Sequence, residues 1–94
     1  MAAVGTDTID FGASPAEEAT RTVTTSGLSA TSHIEAWFQH GDTTADNGAA
    51  EHEEAAALCP LACKYLSATT FEVKAMPIAA LGIGQFKFHW AWSD

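Results

Sequence analysis

The sequence predicts an all-β fold: an antiparallel β-sandwich, jelly-roll-like, with at most one short helix. Three observations predict it. Residues 85–92 alternate polar and apolar side chains without a break, placing Phe86, Phe88, Trp90 and Trp92 on one side. Shorter alternating stretches precede them, separated by runs of Gly, Pro, Asp and Asn that form turns. No strand–helix–strand rhythm links these stretches, so a parallel sheet is not expected. A chain with this spacing holds about seven or eight short strands.

The elements follow in order. Residues 1–6 are small and polar without periodicity and read as a flexible N-terminus, leaving 7–94 as a single β-sandwich domain. Thr8, Ile9, Asp10 and Phe11 alternate as a short strand, closed by Gly12 and Pro15. Ser14 as a cap and Pro15 at a first helical position suit one helical turn. That turn ends early, because residues 20–25 are rich in Thr and Val, whose stiff side chains favour strand. Ser26-Gly27 marks a turn. Residues 32–40 form the next strand, with Ile34, Ala36 and Phe38 on one face and His33, Glu35, Trp37 and Gln39 on the other. Residues 41–48 are dense in turn formers and make a loop. Residues 49–58, rich in Ala and Glu, suit a helix that Pro60 limits; the alternative is a long loop leading into a strand. Residues 63–66 form a separate short strand. Residues 69–76 alternate Phe71, Val73 and Ala75 against Glu72, Lys74 and Met76. Pro77 suits a strand end or edge, and Gly82 and Gly84 mark a turn or bulge.

Size and charge exclude several functions. The chain has 94 residues, enough for one domain and too few for a two-domain enzyme. Hydrophobic residues make up 47% and charged residues 17%, which excludes a disordered chain. Four Lys and Arg stand against twelve Asp and Glu, a formal net charge of −8. Nucleic-acid backbones and anionic membranes both require the opposite balance, so neither is an expected partner. No run of about 20 apolar residues is present to span a membrane. The opening MAAVGTDTIDFG has no basic segment followed by an apolar run, so no secretory leader is expected. Three Trp, five Phe and one Tyr are many for a domain that buries about 60–65% of its surface. Part of this apolar surface is therefore expected to be buried against another copy of the chain.

Candidate chemistry is sparse. The acidic loop from residue 42 has oxygens at Asp42, Thr44, Asp46 and Glu53 in the order of a calcium loop, but Asn47 stands where that loop needs Gly. A solvated acidic loop leading into a helix start is the favoured account, so no metal is expected, with Asp42, Asp46 and Glu53 the candidates if one binds. His40 and His52 beside Glu51 fit no compact metal spacing and read as surface residues. Cys59 and Cys63 form neither a disulfide framework nor a zinc set and are expected to be reduced, partly buried thiols. No nucleophile motif or phosphate loop is present. Glu17-Glu18 and Glu53-Glu54 read as exposed faces rather than an acid/base pair. The expectation is therefore no catalytic residue, no cofactor and no enzyme. Phe86, Phe88, Trp90 and Trp92 could form a sugar-stacking platform, but four large apolar side chains in alternation suit a core or interface better. Trp37 faces away from Ile34 and Phe38 and is the aromatic expected at a surface or interface. Gln85, Lys87 and His89 share a face expected to be solvated.

Four stretches occur together: Thr8-Ile9-Asp10-Phe11-Gly12; Ser32-His33-Ile34-Glu35-Ala36-Trp37-Phe38; Asp42-Thr43-Thr44-Ala45-Asp46-Asn47 with Glu51-His52-Glu53; and Gly84-Gln85-Phe86-Lys87-Phe88-His89-Trp90-Ala91-Trp92-Ser93. In this order they resemble small structural proteins of tailed bacteriophages and prophages, over most of the chain. Cys59-Pro60-Leu61-Ala62-Cys63 departs from that pattern, where apolar residues without cysteines are common. The resemblance implies a non-enzymatic virion protein, such as a capsid decoration or a head or tail fibre part, assembled in the host cytoplasm. Its expected partners are its own copies, with a trimer favoured, and other virion proteins. It carries over no catalytic residue. Asp42, Asp46, Asn47, Glu51 and His52 would form a structural or ion-binding loop. The alternative is a carbohydrate-binding module on a fibre or spike that recognises a host surface glycan.

Overall fold

The computed structural model describes residues 2–12, 18–76 and 84–94. Six strands and one helix lie in them: β1 (Ala2–Asp10), β2 (Ala19–Thr24), β3 (His33–Trp37), α1 (Ala49–Leu58), β4 (Leu61–Ser67), β5 (Thr70–Ala75) and β6 (Gln85–Ser93). The seven or eight strands expected are a count for the whole chain; the described residues hold six. The helical turn expected at Ser14 and Pro15, and the Pro77 and Gly82 features, lie outside the described residues.

The strands form two three-stranded antiparallel sheets, ordered β1-β6-β3 and β2-β5-β4. The all-β expectation with a single short helix is met, and the helix occupies the predicted residues. The N-terminus differs from its expectation. Instead of a loose end through residue 6, β1 pairs along its whole length with β6, from Ala2 opposite Ser93 to Asp10 opposite Gln85. Local pattern misses this because Ala2–Thr6 has little periodicity of its own. The long central strand supplies the ladder, and backbone groups beside it must find partners.

The sheets face each other across a core of aromatic and branched side chains. Phe86, Phe88, Trp90 and Trp92 all point into it, together with Ile9, Phe38, Phe71, Val73 and Ala75. Phe71 of one sheet meets Trp90 of the other edge-on, with ring centroids 5.5 Å apart. The aromatic face of the last strand is thus core. Gly5 makes room for Trp90, because a Cβ there would run into the indole ring. The sheets also meet along their edges, β1 beside β2 and β3 beside β4. Arg21 Nε reaches Asp7 Oδ2 at 3.2 Å across the first of these seams. The Trp92 indole N–H donates to Thr25 Oγ1 at 3.1 Å.

Candidate functional site

The outer face of the β1-β6-β3 sheet follows from the register. Val4, Ala91 and Glu35 lie side by side, and the next row holds Thr6, His89 and Trp37. Val4 is 80% exposed and Trp37 39%. Trp37 is therefore on the surface, as its strand parity predicts. At the end of the sheet away from the acidic loop, Ala2, Val4, Ala91 and Ser93 line a shallow groove of about 230 Å³ beside His33 and Glu35. The His33 ring is hydrogen-bonded to Glu35 Oε1 at 2.7 Å, in the open.

Trp37 lies over the ring of His89, with centroids 6.0 Å apart and planes 16° from parallel. His89 Nε2 sits 2.7 Å from Asp42 Oδ2, and both side chains are mostly covered. This corrects the expectation of a solvated His89. The loop from residue 42 folds back over β6, so the histidine is held between an indole and a carboxylate.

The same loop explains the acidic residues that a calcium reading would use. β3 pairs with β6 only from Ser93 to His89. Beyond His89 no strand among the described residues lies beside this edge of β6, and side chains take the place of one. Gln85 N–H donates to Asp46 Oδ2 at 2.9 Å. Gln85 O accepts from Thr44 Oγ1 at 2.7 Å and from Asn47 Nδ2 at 2.8 Å. Lys87 N–H donates to His52 Nε2 at 2.9 Å. Asp42 goes to His89 and Asp46 to Gln85, while Glu53 lies 3.7 Å from His40. The three carboxylates go to three different partners. Among the described residues, no three His, Cys, Asp or Glu side chains gather where they could hold a metal ion. Gly84 permits this approach, with a φ of +77° and no side chain to strike Asp46.

His52 overturns the expectation of a surface histidine. It is fully buried, with its ring 5.1 Å from that of Phe86. Lys87 N–H can only donate, so the accepting Nε2 is bare and the ring proton sits on Nδ1. Nδ1–H then donates to Gly48 O at 2.9 Å. Gly48 is the residue before α1, so one imidazole ties the helix start to β6. Only His52 and Ala55 of α1 are buried, so this helix holds to the body through few side chains.

Cys59 is buried, Cys63 is partly so, and both are free thiols. Burial pushes the Cys59 thiol up to about 11, against a smaller lowering by the Met76 backbone. Burial also pushes Cys63 up to about 11, and the negative charge of Glu35 adds to it. Both therefore stay protonated near neutral pH, the opposite of an activated nucleophile.

Sequence reasoning located Trp37 and the aromatic strand correctly. It missed that the acidic loop and His52 close a sheet edge. The available signal was local: His52 and Ala55 are spaced to share one helix face. The fold and this region define a small antiparallel β-sandwich in which one edge of the central strand β6 is closed partly by side chains. Compared with protein-family models, curated proteins and solved structures, the chain matches none.

Proposed function

We propose that this chain is a non-enzymatic structural protein of a bacteriophage particle, a capsid decoration or a head or tail fibre part. It acts as a symmetric homo-oligomer, with a trimer favoured, and docks on other virion proteins. The observation that carries this reading is the outer face of β1-β6-β3, where Val4 and Trp37 stand exposed. Large apolar side chains at such positions suit contact with a neighbouring copy. The resemblance of four sequence stretches to phage structural proteins supports it as well. At a formal charge of −8, copies repel one another, so assembly should tighten as salt screens that charge.

Light scattering on a sizing column tests the reading. The expected result is a closed oligomer whose affinity falls at least about tenfold in Trp37→Ala, while the isolated chain loses less than about 1 kcal/mol of folding stability. A monomer at all concentrations, or a Trp37→Ala chain that unfolds without losing affinity, would sink it.

A second reading has one observation in its favour. Trp37 presents an exposed ring above His89, next to Asp42. Aromatic faces with a neighbouring carboxylate suit sugars, so a glycan-recognising module is the alternative. Saturable glycan binding by a monomer, lost in Trp37→Ala, would favour it over the assembly reading.

A further inference from the structure

We propose that the loop at residues 42–48 and α1 form an acid-sensitive clasp on the edge of β6, with His52 as its proton sensor. This inference is independent of the functional reading above. Three observations combine. His52 is fully buried. Both of its ring nitrogens are engaged, Nδ1 with Gly48 O and Nε2 with Lys87 N–H. α1 buries only one other side chain, Ala55, so little else holds it down.

The neutral ring fits this place and the imidazolium does not. A proton on Nε2 turns an acceptor into a donor pointed at another donor, the Lys87 N–H. It also leaves a charge in a site closed to water. The neighbouring charges do not remove the conflict. From the helix, Glu51 lies toward Gly48 and Glu53 toward His40. From the loop, Asp46 is occupied by Gln85 N–H and Asp42 by His89. From β6, Lys87 reaches the ring through its backbone, and His89 turns to Asp42. These carboxylates attract a proton but leave Nε2 without an acceptor.

The other histidines respond in the opposite sense. His33, His40 and His89 each face a carboxylate, so protonation strengthens their contacts. His52 faces a donor, so protonation breaks its contact. The sign follows from the contact: a proton on Nε2 removes the acceptor that holds the Lys87 N–H, so the clasp weakens as pH falls. Opening frees the Lys87 N–H and, where the loop lifts with the helix, the N–H and C=O of Gln85, an edge able to accept a further strand.

The test follows the Lys87 amide by hydrogen exchange from about pH 7.5 to about pH 5.5, a window that contains ordinary imidazole titration and lies above ordinary carboxylate titration. Protection of this amide, relative to β1-facing amides of the same strand, should fall by up to about tenfold per pH unit as the solution is acidified. It should be flat in His52→Gln, whose amide offers an acceptor and a donor but cannot take up a proton in this range. Imidazole nitrogen shifts of the unmodified chain supply an independent reading. They should show a proton on Nδ1 alone at neutral pH, and ring protonation at the same midpoint as the loss of Lys87 protection. Flat protection in the unmodified chain would overturn the proposal. So would an equal fall in His52→Gln, or a neutral ring with its proton on Nε2.

Discussion

The two halves of β6 are closed in different ways, and the difference bears on how robust each half is. From His89 to Ser93, strand β3 supplies the partner, backbone to backbone. From Gln85 to Lys87, the partners are Asp46, Thr44, Asn47 and His52, side chains from a loop and a helix. A backbone ladder keeps its hydrogen bonds whatever the side chains are. A side-chain closure places each bond in one residue's identity. The second half is thus more sensitive to substitution, although both halves satisfy the same kind of backbone group.

The largest expected break in this comparison is His52→Ala. It removes a buried ring beside Phe86, leaves a cavity, and strips Lys87 N–H and Gly48 O of their side-chain partner. A loss of about 3–5 kcal/mol is expected, visible as a drop of more than about 10 °C in Tm. A loss under about 1 kcal/mol would show that water replaces these contacts readily.

Asp46→Ala comes next. It deletes an acceptor for Gln85 N–H at an exposed site, so about 1 kcal/mol is expected in denaturant melts. Asp46→Asn keeps an oxygen in place and should recover at least half of that loss. If both variants lose equally, the charge rather than the hydrogen bond holds the loop.

The smallest effect belongs to the strand-paired half. Glu35→Ala removes an exposed contact with His33 but no backbone bond. A change within about 0.5 kcal/mol is expected by the same melts. A cost as large as that of Asp46→Ala would erase the distinction between the halves.

Much of the fold was legible in the sequence. The alternation of Phe86, Phe88, Trp90 and Trp92 predicts one buried face, and all four are buried. The parity of Trp37 against Ile34 and Phe38 predicts its exposure, and it is 39% exposed. Alanine and glutamate at residues 49–58 predict the helix that forms there. The site was less legible. Asp42, Thr44 and Asp46 drew notice as oxygen ligands, and the oxygens are used, but on His89 and Gln85. His52 read as a surface residue because it fits no metal-ligand spacing and stands among Glu51, Glu53 and Glu54. Its partner, Lys87 N–H, is a backbone group that no side-chain pattern encodes.

Composition and period-2 alternation alone determined the all-β class, the buried aromatic face and the absence of a strongly basic surface. These properties depend on side-chain chemistry at neighbouring positions, which the sequence states directly. Tertiary structure decided the rest. It recruited Ala2–Thr6 into β1, because an unpaired flank of β6 had to be filled. It ended β3 at Trp37 and sent the acidic loop to close what β3 left open. It buried a histidine where a neutral ring bridges Gly48 and Lys87. Each of these outcomes joins a residue to a backbone group dozens of positions away, and only the folded chain brings the two within hydrogen-bonding distance.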